Sequence, residues 1–350
     1  MTDLPDGLRI IDPHIHQWDP FTTPREASVP AKVLRRVPML RPAVLALVPR
    51  SDREFVGDPA HLIKPYLPPD YRADAGDLPV ESVVHIEAAW KDHEADGGAA
   101  ESTWLASLPF GTGGLPGLAA LVCHADPSDP GVGALLDRHL AASELVRGVR
   151  CSAAHHPDRG VRSWAEEGLL VRPEFLRGFA AIAERGLTFE AWVYSHQLPE
   201  VVTLAQEYPD ATIVLDHYAT PVGAFGPRGR ETGHTEGDRR AILDRWYDDI
   251  AAVAALPNVV AKHSGLGMPV LGWTGPQTVA QFRDAIAPLV TRTQELFGAD
   301  RTMWASNYPM DKPTVSLPGT LDALLDVLGP DADLQRLLRD NARRVYRLTS

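Results

Sequence analysis

From about residue 80 onward, short β-branched runs alternate with longer stretches of helical period, and this rhythm limits the fold more than any other feature. The runs fall at 80–86, 118–122, 146–150, 188–193, 211–215, 259–261 and 302–305, and an earlier one at 8–11 makes eight. Between them the periodicity predicts helices near 131–143, 173–185, 197–208, 238–256, 277–297 and 317–328. Strands separated by helical crossovers pair in parallel, and eight such units close into a (β/α)8 barrel of the TIM type. A doubly wound open sheet is the alternative. No Gly-x-Gly-x-x-Gly turn follows the first run, which removes that sheet's commonest nucleotide-binding form.

The whole chain, 1–350, reads as one such barrel domain, a size this fold commonly reaches. Residues 20–79 are rich in proline and charge and are expected to form a long, lid-like insertion after the first strand, draped over the mouth. With 44% hydrophobic and 23% charged residues there is ample material for a large core. A formal net charge of −12 argues against a general nucleic-acid footprint. Two cysteines, Cys123 and Cys151, make no disulfide framework, the opening residues lack a signal-peptide pattern, and no apolar run approaches the ~18 residues of a membrane helix. The expected setting is the cytoplasm, with a small-molecule substrate, no nucleic-acid or membrane partner, and room for a homo-oligomer.

Functional groups of such barrels gather at the C-terminal strand ends. There the chain carries His14 and His16, Glu87, His124, Arg150, Tyr194 with His196, Asp216-His217, Lys262-His263-Ser264 and Ser306-Asn307. A polar residue at one end means little; polar or titratable groups at all eight point to an enzyme. His14 and His16 are two apart on an extended chain, so both imidazoles face one side and make half of a metal site. Glu87 and Glu190 lie on predicted interior strands, where a carboxylate is costly to bury without a cation or hydrogen-bond partner. Arg147, Lys262, Tyr194, Asn307 and Trp18 are the candidate substrate contacts.

Several segments together resemble the amidohydrolase superfamily, in the branch that includes sugar-acid lactonases and the pyrone-dicarboxylate lactonase. They are Asp12-Pro-His-Ile-His-Gln-Trp-Asp19, Val146-Arg-Gly-Val-Arg150, His196-Gln-Leu-Pro199, Leu215-Asp-His217, Trp304-Ala-Ser-Asn-Tyr-Pro309 and Asn341-Ala-Arg-Arg-Val-Tyr-Arg347. The resemblance implies a divalent metal ion (zinc, manganese or iron, one or two ions) held by His14, His16, His217 and His196, with Glu87 added from its burial. It makes His217 a ligand or catalytic group, and Arg150, with Arg147, a holder of a substrate carboxylate or a polariser of a carbonyl. The pattern departs at Asn307, where the family usually has a strand-eight aspartate. An amide cannot serve as base, so a carboxylate elsewhere is expected to complete the site, in the order Glu87, Asp311, Glu190. The implied activity is metal-dependent hydrolysis of a lactone or ester-like bond in a small carboxylated or partly apolar molecule. Decarboxylation, non-haem mono- or di-iron oxygenation, and non-catalytic small-molecule binding are the alternatives.

Overall fold

The computed structural model describes residues 4–91 and 99–348. Eight parallel strands follow one another around a nearly closed barrel in sequence order. They are β1 Ile10–Ile15, β2 Val80–Ile86, β3 Gly117–His124, β4 Val146–Arg150, β5 Thr188–Ala191, β6 Ile213–Leu215, β7 Val259–His263 and β8 Thr302–Trp304. Main-chain bonds from Asn307 N to His14 O and from His16 N to Tyr308 O, each 2.9 Å, join the last strand end to the first. β1 runs further than the apolar residues 8–11 suggest and includes His14 itself. Pro13 has no N–H to give the ladder, and the β1–β2 register shifts between Asp12 and Ile15.

The helices Val132–Ala142, Pro173–Glu184, Leu198–Glu207, Glu236–Ala254, Val279–Phe297 and Leu317–Leu328 surround the barrel. Their starts carry local signals: Thr235 caps through Asp238 N, Thr278 through Gln281 N and Ser316 through Gly319 N, while Pro173 opens another helix. Strands alternate two faces. One face packs on the helices. The other contributes Ile11, Val84, Ile86, Ala120, Val122, Val214, Val260 and Met303 to an inner core, together with Ala342, Val345 and Tyr346. Those last three come from the C-terminal segment, whose Arg339 binds Glu81 at 2.8 Å and whose Asn341 donates to Thr302 O at 2.8 Å. Glu81 and Thr302 begin or nearly begin β2 and β8, so this segment plugs the barrel opposite the strand ends.

Residues 20–79 contain the helices Ser28–Arg36, Arg41–Ala46, Arg50–Val56 and Pro68–Ala75. Arg25 pairs with Glu101 at 3.0 Å after β2, and Asp52 with Arg162 at 2.7 Å after β4. Glu54 accepts from Gly229 N at 2.7 Å after β6. Pro68–Ala75 leads into β2 as the first crossover helix, and its Tyr71 hydroxyl donates to Asp12 at 2.7 Å. No helix among the described residues is long and apolar enough to cross a membrane.

Candidate metal centre

His14 and His16 leave β1 on one side, with ring centres 5.0 Å apart, and the His217 ring lies 4.5 Å from that of His14. Asp216 completes the group: ligand atoms of His14, Asp216 and His217 all lie within 4.8 Å of one another. Asp12 braces the same corner, accepting from His14 N at 3.2 Å and Ser306 N at 3.0 Å, and so ties β1 to β8.

His217 is aimed by its backbone. After β6 the chain makes a left-handed turn, with φ of 53° at His217, 56° at Tyr218, 56° at Ala219 and 40° at Thr220. Such conformations cost non-glycine residues about 1–2 kcal/mol each and persist where packing over-determines them. Here Trp246 Nε1 donates to Tyr218 O at 2.7 Å, and the Tyr218 hydroxyl to His263 Nδ1 at 2.5 Å. His217 Nδ1 meets Ser264 Oγ at 2.8 Å, and Gly265 leaves the ring its space, since a Cβ there would stand 2.4 Å from His217 Cγ.

The donor set suits a divalent ion. His16 Nδ1 donates to Ile86 O at 3.0 Å, which leaves the Nε2 lone pair free, and His14 Nε2 is buried without a protein partner. Burial drives the imidazoles toward the neutral form a ligand needs, lowering His16 to about 4 and His217 to about 3. Burial and Lys262 lower His14 well below its ordinary value. Burial alone would raise Asp216, but Lys262 and His14 beside it hold its carboxyl well below the usual range. Imidazole with carboxylate is a donor set for zinc, manganese or iron.

Arg150 reaches the same mouth. Its Nε donates to Glu87 Oε1 at 2.8 Å and its Nη2 to Glu87 O at 2.7 Å, while Nη1 stands 3.9 Å from Asp216 Oδ2. The guanidinium lies 5.8 Å from the Trp192 ring centre, in a wall where Trp192, Trp164 and Phe55 meet edge to face.

Other expected residues stand elsewhere. Glu87 is spent on Arg150 and, through Oε2, on Ala89 N at 3.0 Å, so it clamps the arginine and is not in the ligand group. Burial would raise it, yet Arg150 and then His124 lower it to about 2. His196 sits in a turn beyond β5 with its ring 5.3 Å from His156. β5 ends at Ala191, and Gln197 fastens the next residues to the β4 loop through His155 N and Ala153 O. Arg147 is the second residue of β4, three before Arg150, so it lies about 10 Å back along the strand on the opposite face. It donates to Val146 O at 3.0 Å. The Tyr194 hydroxyl is taken by Arg162 O at 2.7 Å. Trp18 Nε1 donates to Lys64 O at 2.8 Å, holding the chain that returns from the long insertion.

Asp311 stands behind Asn307, not among the histidines. Its Oδ1 accepts from Asn307 Nδ2 at 2.7 Å and its Oδ2 from Gly267 N at 2.9 Å, and burial raises it to about 7. This leaves Asn307 Oδ1 buried without a partner. Glu190 lies deeper in the barrel on Lys262 Nζ at 2.5 Å, raised by burial. Lys262 is turned inward, toward Glu190, Asp216 and His14, rather than outward to a substrate. The carboxylate beside the histidines is therefore Asp216. Its signal in the sequence is its place at the β6 end in Leu215-Asp-His217, directly before a candidate ligand.

The model of the amidohydrolase family matches residues 11–348. The uncharacterized protein y4mH of Sinorhizobium fredii (strain NBRC 101917 / NGR234) is 32% identical over 344 residues, covering 97% of this chain and 99% of that protein. An L-fucono-1,5-lactonase of Burkholderia ambifaria is 29% identical over 204 residues, 54% of this chain and 61% of the enzyme. Among solved structures, an amidohydrolase from Burkholderia multivorans with bound zinc superposes with a TM-score of 0.70 at 21% identity, over 97% of this chain and 99% of that one.

Proposed function

This chain belongs to the amidohydrolase family, and from that membership we propose that it hydrolyses a lactone or related ester-like bond of a small carboxylated molecule. The observation that carries the reading is the convergence of His14, Asp216 and His217, with the His16 ring next to His14, beside Arg150 at the strand ends. The L-fucono-1,5-lactonase named above supports the bond type.

His14, Asp216 and His217 would hold one divalent ion, with His16 beside them as a further donor, and when bound the ion polarises a carbonyl and lowers the pKa of water. Asp216 is kept ionised and has no well-aligned hydrogen-bond donor on either oxygen, so it can accept a proton from an attacking water. Arg150 spends Nε and Nη2 on Glu87 and keeps Nη1 for a substrate carboxylate or for charge developing on the carbonyl oxygen. Asn307 Oδ1 offers an acceptor to a substrate hydroxyl. Phe55, Trp164 and Trp192 limit water around that side of the mouth.

The test is proton release by the metal-loaded protein from a panel of lactones. L-fucono-1,5-lactone and other sugar-acid 1,5-lactones form one arm, and carboxylated pyrones the other. Turnover in either arm, lost in Asp216→Asn and Arg150→Met, supports the reading. Folded, metal-loaded protein that opens none of them refutes it.

A further inference from the structure

Beneath the histidines lies a buried ammonium whose contact with His14 the proposed hydrolysis does not use. Lys262 is wholly buried, and its Nζ stands 2.5 Å from Glu190 Oε2, 3.0 Å from His14 Nδ1 and 3.3 Å from Asp216 Oδ1. The ammonium hydrogen-bonds Glu190 and His14 and stands beside Asp216 as a charge partner without a well-aligned hydrogen bond. Glu190 is held from its other side by the Tyr346 hydroxyl at 2.5 Å, so the lysine is anchored through the C-terminal plug.

His14 Nδ1 is contested. Asp216 Oδ1 lies 3.3 Å from the same nitrogen that Lys262 approaches at 3.0 Å. An ammonium only donates, so its bond requires a lone pair on Nδ1 and places the imidazole proton on Nε2. A carboxylate only accepts, so its bond requires Nδ1–H and leaves the lone pair on Nε2. Nε2 is the buried atom with no protein partner. Only the carboxylate-bonded tautomer can use it as a ligand, because a metal ion needs that lone pair.

We propose that Lys262 is a positioning residue that holds His14 in the Nε2–H tautomer while the site is empty, so that loading requires Nδ1 to pass from Lys262 to Asp216. The hydrolase reading enters only in placing the ion at His14. Asp216 then has two tasks, partner to the ion and partner to His14.

Long-range 1H–15N correlation spectra of the metal-free full chain, labelled on histidine nitrogens, read the tautomer directly. The wild type is expected to show His14 protonated on Nε2. The double variant Lys262→Met, Glu190→Gln replaces the buried ion pair with neutral groups, leaving no unpaired charge on that pair. In it His14 is expected to shift to Nδ1–H, because the carboxylate of Asp216 is then the one partner left on that nitrogen. A wild-type His14 already protonated on Nδ1 overturns the proposal, whether or not the variant folds. So does a folded double variant in which His14 stays protonated on Nε2. Wild-type protein that binds no Zn2+ refutes the hydrolase reading instead, and the spectrum still decides the role of Lys262.

Discussion

Glu87→Gln separates two roles that a strand-end carboxylate can have, metal ligand or clamp. Its two oxygens are occupied by Arg150 and Ala89 N, and both partners of the ion pair are nearly inaccessible, with side chains 9% and 5% exposed. Burial would raise Glu87, and Arg150, then His124, bring it from 4.5 to about 2. At ~1.4 kcal/mol per pH unit, that displacement is worth about 3 kcal/mol of folding stability near neutral pH. Because the folded value is depressed, the unfolded chain binds the proton more readily. The stabilisation is therefore complete above about 4.5 and is lost as the pH falls toward 2. Urea titrations of wild type and Glu87→Gln are expected to differ by about 3 kcal/mol at pH 7, with the gap closing across that acid window. Glutamine keeps the shape but leaves Arg150 without its anion, so kcat should fall while metal per chain stays unchanged. Loss of metal with stability intact would show that Glu87 is a ligand and that the clamp assignment is wrong.

Asp216→Asn is expected to lower turnover on the order of 10²-fold or more, with weakened metal binding by elemental analysis. Gly265→Ala should lose metal as well, because the new Cβ would meet His217 Cγ at 2.4 Å at a φ of +69°; full metal content would refute the packing argument. His196→Ala should keep wild-type metal content, whereas His217→Ala should not. In the metal-free protein, burial lowers His16 and His263 to about 4 and His217 to about 3. Each such histidine takes up its proton more readily unfolded, so each is expected to remove up to ~1.4 kcal/mol of stability per pH unit as the pH falls below 6.5. Equal chemical stability at pH 7 and pH 5 would contradict this.

Much of the barrel was legible because parallel strands buried on both faces are written as continuous apolar runs, with helix starts marked by residues such as Thr235, Thr278 and Ser316. The expected helix over 317–328 is the observed Leu317–Leu328, and the others differ by one or two residues at their ends. The pleat likewise puts His14 and His16 on one side, because alternation is a local property of an extended chain. The same pleat sets Arg147 apart from Arg150, three residues along one strand and so on opposite faces.

Pairing was not legible, because a hydrogen bond forms wherever inter-strand register and loop path bring two groups together, at no characteristic separation in sequence. Glu87 meets Arg150 across 63 residues, Lys262 meets His14 across 248, and Tyr346 meets Glu190 across 156. Residue type marked each of these groups as costly to bury, and so as needing a partner. Tertiary structure alone decided that Glu87 is spent on an arginine, that His196 leaves with its turn, and that Asp216 stands beside the histidines. The sequence determined which groups would be brought to the strand ends; the closure of the barrel determined which of them remained free to act.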